Sequence, residues 1–344
     1  MKNFDINIII LTYRSDLIAK INFKIALEAI MYYNNTRLIV GYGGNDSEHY
    51  AWITSLSSQL IDKSSFELIS EISGSKRMKW ALEFPSEWLI FITDDDLISS
   101  NYIEAYIKEI AMVGDDVANI YPKYYGLNFD GNIEYREFNT IVDENPFNRA
   151  KLLINSSYTG VRFWSAHRAI GIKLIYDQNY DFNFSPSYLD QLMTLSTVLN
   201  GKSISCKLPN LLIYNIENWI NEESSIRTDS KYYKNSKMVF FHEILWATDY
   251  INIICLYCAE SFDYQWIKLY CLSRINDALN SFISRMNIIE ISKLQVKSIL
   301  DKINELASSV SNCNNIEKLR YDLNEFKKSI LKSENNQVFF EENN

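Results

Sequence analysis

Positive charge is in short supply in this sequence. Lysine and arginine number 34 against 43 acidic residues, for a formal net charge of −9. A nucleic-acid partner is a poor fit, because that class rests on a basic footprint. An anionic ligand would need a local basic cluster instead. Histidine is scarce, at three residues, and the five cysteines are an odd number without paired spacing. This argues against a disulfide framework and for a reducing compartment. Cys255 and Cys258 form a C-x-x-C inside the apolar run INIICLYCAESF, which reads as buried core thiols rather than a zinc or redox site. Long hydrophobic runs are missing as well. None approaches the ~18 residues of a membrane span, and INIIIL near the start is too short for a secretory signal core. The expectation is a cytoplasmic protein without a transmembrane segment, with peripheral attachment at the inner face of a membrane left open.

Hydrophobic residues make up 47% of the 344-residue chain and charged residues 22%, which is enough to form a substantial core. That length suggests two domains or one with an appendage. INIIILT (6–12) is a continuous apolar, β-branched run, as in a strand buried on both faces. A helix follows in which Leu17, Ile21, Ile25, Ala26 and Ala29 recur at helical spacing, with Asp16 placed to cap it. Strands are expected at 36–44, 65–72, 87–93 and 117–122, and helices at 48–62, 75–83 and 99–114, the last capped by Ser99 or Ser100. Such alternation predicts a doubly wound, mostly parallel α/β sheet, in which ligands bind beyond the carboxyl ends of the strands. Another helix is expected over 186–200. From about residue 230 the pattern is helical, and two apolar stripes, Val296 to Val310 and Ile316 to Ile330, predict a helical hairpin. Assembly into oligomers through these stripes is the alternative. The domains are placed at 1–222 and 223–344.

The most informative stretch is WLIFITDDDLISSNY, from Trp88 to Tyr102. A buried strand runs directly into three aspartates. One acidic residue suits the start of a helix. Three adjacent carboxylates repel one another and raise each other's pKa, and a hard cation relieves this. Mg²⁺ or Mn²⁺ takes oxygen ligands from one or two carboxylates and completes its shell with substrate phosphates. On an extended chain Asp94 and Asp96 share one side and Asp95 takes the other, toward a basic neighbour such as Arg77.

With IIILTYRS at the first strand, FITDDD at the fourth and SSNYIEAYI in the next helix, the chain resembles the GT-A glycosyltransferases, the family-2-like group that uses nucleotide-diphosphate sugars, over roughly residues 5–215. The resemblance implies a Rossmann-like GT-A sheet with a C-terminal α-helical region outside it. It implies that Thr12, Tyr13 and Arg14 line the nucleotide pocket, that Asp94 faces ribose or metal, and that Asp96 is the main ligand of Mn²⁺ or Mg²⁺. Lys76, Arg77 and Lys79 stand where a cation meets the pyrophosphate or the first aspartate. The family's base-reading Asp after the second strand is replaced here by glycine in IVGYGGNDS, so that either Asp46 substitutes from the loop or the base is read differently, and the nucleotide stays open.

On the acceptor side the resemblance places a general base near the start of a helix. Asp190 in SPSYLDQLM fills that place, with Asp181 as the alternative. In RFWSAHRA, Trp164 could stack on a sugar and His167 could touch a phosphate or metal. Asn215 and Glu217 lie in the region of a third metal ligand. The expected activity is metal-dependent, inverting hexosyl transfer from a nucleotide-diphosphate sugar to a glycan or lipid-linked acceptor, in surface polysaccharide synthesis. The alternatives are a sugar nucleotidyltransferase, against which the absence of a Gly-rich loop in LTYRSD counts, and a degenerate sheet domain acting in assembly.

Overall fold

The computed structural model describes residues 5–331 except 13, 59, 61, 72–73, 93, 95, 128–132, 137, 157–161, 178–188, 209, 215–241, 259–261 and 286–292. The chain divides into two compact units, Met1–Ser224 and Ser225–Asn344.

The first unit is built on a seven-stranded sheet. Its strands are β1 (Ile6–Thr12), β2 (Thr36–Tyr42), β3 (Phe66–Ser70), β4 (Trp88–Ile92), β6 (Val117–Tyr121), β9 (Ala166–Arg168) and β10 (Lys202–Ser205), in the spatial order β10-β6-β9-β4-β1-β2-β3. All neighbours are parallel except at β9, which runs antiparallel between β4 and β6. The apolar runs behave as the sequence predicts: β2, β4 and β6 are buried at every residue, and β1 at all but one. A sheet covered on both faces requires such runs. Five helices matter for the site: α1 (Leu17–Tyr32), α2 (Ser47–Ser57), α3 (Gly74–Leu82), α4 (Tyr102–Ile110) and α7 (Leu189–Asn200). Helices α5 (Pro146–Asn155) and α6 (Ala169–Asp177) pack against α7.

The chain leaves this sheet at the aspartates. Strand β5 (Leu97–Ile98) follows β4 after four residues and joins a second, four-stranded sheet with the order β5-β11-β7-β8, where β7 is Lys123–Leu127, β8 is Ile133–Arg136 and β11 is Leu211–Tyr214. The aspartates thus form the corner between two sheets. Ser99 does not cap α4. Its hydroxyl accepts the Leu211 N–H at 3.1 Å and so holds the second sheet, and the cap position falls to Asn101.

Helix α1 also faces differently from the expected stripe. Leu17 is 72% exposed and Ile21 and Ile25 are half-buried, whereas Ala19, Asn22, Phe23, Ala26, Leu27 and Ile30 form the buried face. Asn22 is no part of the expected stripe, yet this residue sits in the middle of the buried face.

The second unit contains α8 (His242–Tyr257), α9 (Tyr264–Arg285), α10 (Lys293–Asn312) and α11 (Ile316–Leu331). The last two form a hairpin whose buried seam includes Ile299, Ile303, Leu306 and Val310 on one side and Leu319, Leu323, Phe326 and Ile330 on the other. Lys268 of α9 donates to the Ser311 and Cys313 carbonyls at the C-terminal end of α10, where a cation opposes the helix dipole. All five cysteines are free and buried, as core thiols. Among the described residues no helix is long and apolar enough to cross a membrane.

Between α8 and α11, Lys327 donates to the buried Asp249 carboxylate at 2.6 Å. Removing one partner of a buried pair strands the other charge. Lys327→Met is expected to destabilise the second unit by about 3–5 kcal/mol, and adding Asp249→Leu should recover most of the loss. Thermal melts of the two variants check this.

Candidate active site

The carboxyl ends of β1, β2 and β3 are stitched together by backbone bonds. Gly43 N–H donates to the Thr12 carbonyl at 2.7 Å, and Glu71 N–H donates to the Tyr42 carbonyl at 3.0 Å. The acidic corner begins at this rim: Asp94 is 9% exposed and Asp96 is 3% exposed.

Arg77 of α3 crosses the same rim. Its stem packs on Gly41 and its guanidinium on Gly43: a Cβ at position 41 would lie 2.9 Å from the Arg77 Cβ, and one at position 43 would lie 1.7 Å from Nη1. Nη1 donates to the Glu71 carbonyl at 2.6 Å. Burial pulls the guanidinium pKa down, while the charges of Asp94 and Glu71 push it back up. A side chain at either glycine requires Arg77 to shift, so glycine at this strand end leaves the guanidinium its place on the rim. The basic neighbour expected beside Asp95 faces Asp94.

The loop after β1 is turned in on itself. The Thr12 hydroxyl, buried, accepts the Arg14 N–H at 2.9 Å. The Arg14 guanidinium is engaged with Asp16, Nε donating at 2.7 Å, and Asp16 in turn caps α1 by accepting from Ile18 and Ala19. Arg14 therefore braces the start of α1. Asp46 is the N-cap of α2 and accepts the His49 N–H at 2.9 Å. That bond, with a further one from Ser15, lowers its pKa. In the structure Asp46 serves as a cap rather than as an open acceptor. Lys76 is exposed on α3. Tyr13, Asp95, Asp181, Asn215 and Glu217 lie outside the described residues.

Trp164 reaches the corner by a derivable route. Ala166 of β9 pairs with Ile90, and the Ser165 carbonyl accepts the Phe91 N–H, so residues 163–165 continue to the carboxyl end of β4. Phe163 stacks on Phe91 at 4.6 Å and meets Trp164 edge-to-face at 4.8 Å, and the Tyr102 hydroxyl at the start of α4 donates to the Trp164 carbonyl at 2.6 Å. His167 does not reach a ligand. It is 0% exposed, with ring nitrogens bonded to Ser165, Thr197 and the Phe163 carbonyl. Burial lowers its pKa to about 4. Its pairing with Leu89 and Asn119 places it in mid-sheet, as a neutral core residue.

Asp190 lies in the first turn of α7. Residue 202, just after the helix ends, pairs with Val117 at the amino end of β6, so α7 begins at the opposite, carboxyl end. Asp190 and the corner therefore share one end of the sheet. The Asp190 carboxylate accepts the Gln191 N–H at 2.8 Å, yet burial dominates and raises its pKa to about 7.

Among the described residues no group of three or more His, Cys, Asp or Glu side chains could hold a metal unaided. Two clustered, buried carboxylates do fit a hard divalent cation that keeps its remaining positions for waters and phosphates. Sequence reasoning missed Asn22, whose Nδ2 donates to the Asp96 carbonyl at 2.7 Å. The one signal was a lone amide inside an apolar helix.

The strand order, the antiparallel β9 and the corner after β4 define an α/β fold of the GT-A type. Among solved structures, residues 1–349 of S. aureus TarS in complex with UDP align with 95% of this chain and 92% of that chain, at 13% identity and a TM-score of 0.50. The UDP-GlcNAc complex of the same segment gives 15% identity over 95% and 92%, with a TM-score of 0.48. The mannosyltransferase PcManGT from Pyrobaculum calidifontis, solved with GDP-Man and Mn²⁺, gives 9% over 97% and 88%, with a TM-score of 0.41. The likeness to the UDP complex carries the fold assignment and nothing finer. No protein-family model matches the sequence, and no curated protein does.

The two glycines should respond differently to substitution. Gly41→Ala meets the stem of Arg77 and should cost about 1–3 kcal/mol, the usual range for overpacking. Gly43→Ala meets only its flexible tip and should cost less while swinging the guanidinium off the rim. Denaturant melts of both variants check the order.

Proposed function

We propose that this protein is a glycosyltransferase that moves a sugar from a nucleotide-diphosphate donor to a hydroxyl of a glycan or lipid-linked acceptor, with inversion and with Mn²⁺ or Mg²⁺. The observation that carries the reading is the pair Asp94 and Asp96, buried at a strand-end corner, with Asp190 at the same end of the sheet and its pKa raised to about 7. A fold shared with a protein solved with UDP supports the donor class.

On this reading Asp96 and Asp94 hold the cation. Bound there, it would neutralise the leaving diphosphate as a Lewis acid and template. Arg77 orients Asp94 and adds positive charge beside the diphosphate, where a guanidinium suits phosphate oxygens. Thr12 and the rim glycines form the floor of the nucleotide pocket and Lys76 stands at its edge, with Tyr13 and Asp95 assigned to the donor from the sequence alone. Trp164, fixed through its backbone by Tyr102, offers a ring to the sugar. Asp190 takes the proton of the acceptor hydroxyl. A base with a pKa near the working pH combines the charged form with enough basicity to accept that proton. A place in surface polysaccharide synthesis, at the inner face of a membrane, is consistent with a lipid-linked acceptor. The division at about residue 222 leaves the helical unit for acceptor binding or assembly.

Donor hydrolysis or transfer, assayed with a panel of nucleotide sugars, should require Mn²⁺ or Mg²⁺ and fall to background both with chelator and in Asp96→Ala. Metal-independent turnover that survives Asp96→Ala would overturn the metal role.

A second prediction concerns pH. Asp190 must be ionised to act, so kcat/KM should rise with pH and level off above about 7. Asp190→Asn should lower kcat about 10²- to 10⁴-fold and remove that limb. Because the folded-state pKa is raised above the ordinary value near 4, Asp190 favours the fold at low pH, and this contribution is lost as pH rises through about 7. Asp190→Asn should therefore melt no lower than the unsubstituted protein at pH 8.

A further inference from the structure

We propose that Asn22 is a positioning residue that sets the direction of the Asp96 carboxylate from outside the site. The inference builds on the reading of Asp94 and Asp96 as cation ligands and adds a residue that the sequence pattern passed over.

Asn22 occupies the middle of the buried face of α1, among Ala19, Phe23, Ala26, Leu27 and Ile30, and is itself 1% exposed. An amide in such a place costs free energy unless it is hydrogen-bonded, and an apolar side chain would pack there without that cost. Both ends of this amide reach the acidic corner. Nδ2 donates to the Asp96 carbonyl at 2.7 Å, and Oδ1 accepts the Ile98 N–H at 3.5 Å. Two backbone groups flanking Leu97 are therefore held by one rigid planar group on a helix.

The corner needs such a tie. It leaves a seven-stranded sheet for a strand of only two residues, whose ladder consists of Leu97 opposite Ile213 and Ile98 opposite Leu212. Ladder bonds are few just where two buried carboxylates lie two residues apart. The Asp96 carbonyl carbon and Cβ are attached to the same Cα, so fixing the carbonyl limits where the carboxylate can point. The choice of amide also follows from charge. An aspartate at position 22 would lose the donor and add a third negative group, and a lysine would compete with the cation for Asp96. Neutral Asn supplies both a donor and an acceptor without either fault. Partners of this outer kind are worth about 10–100-fold in metal affinity where they have been removed.

Asn22→Leu keeps the shape and removes both bonds. Asn7 supplies the control: it is 0% exposed, lies at the amino end of β1 and bonds through Nδ2 to the Phe84 carbonyl at 3.0 Å. Asn7→Leu removes an equally buried amide bond at the other end of the sheet. Two readouts on the full chain decide the matter. Mn²⁺ binding with UDP present, followed by electron paramagnetic resonance, should weaken about 10-fold in Asn22→Leu and stay unchanged in Asn7→Leu. Amide exchange at Leu97 and Ile98 should accelerate in Asn22→Leu alone, with or without metal. Wild-type exchange and wild-type Mn²⁺ affinity in Asn22→Leu would overturn the proposal, as would equal changes in Asn7→Leu. If the wild-type and Asp96→Ala proteins bind Mn²⁺ alike, the cation reading fails. The proposal fails with it, whatever the exchange readout gives for the corner.

Discussion

The first unit depends on burying two carboxylates, two residues apart, at the point where the chain passes from one sheet to another. Like charges so placed disfavour one another, and burial removes the solvent that would screen them. Such a corner stays in one conformation only if its surroundings supply opposite charge and fixed backbone partners. Arg77 supplies the charge from α3, and Asn22 supplies the backbone partner from α1. The elements beside the corner take their form from these two ties. Gly41 and Gly43 leave room for Arg77, and Tyr102 fixes the segment that carries Trp164.

The same view accounts for the two different jobs of aspartate at this end of the sheet. Asp94 has the Arg77 guanidinium opposite it, and with Asp96 it suits a cation. Asp190 has only backbone N–H partners against its burial, and its pKa rises to about 7. Opposed environments for similar side chains are how one site divides electrostatic stabilisation from proton transfer.

Much of this was legible in the sequence because its signals were local. INIIILT and WLIFI are buried on both faces, and no other element type suits such short β-branched and aromatic runs bounded by polar residues. The DDD stretch was legible because its position at a strand end is a local property. Signals that depend on tertiary contacts were not. Asn22 looked like a gap in an apolar stripe because its partners lie far along the chain. The pairing of Arg77 with Gly43 joins two separate elements. His167 was read as a ligand because RFWSAHRA carries no indication of depth; the structure places it in a strand inserted antiparallel into the sheet. Arg14 and Asp46 lie on the loops where ligand contacts were expected, but helix starts recruited them first.

The central claim is that the corner binds a divalent cation together with a nucleotide diphosphate. Crystals soaked with MnCl₂ and UDP test it most directly through the anomalous scattering of manganese. One anomalous peak is predicted within coordinating distance of Asp96, bridged to the diphosphate. UDP bound at the rim without manganese, or manganese bound away from Asp94 and Asp96, would contradict the account.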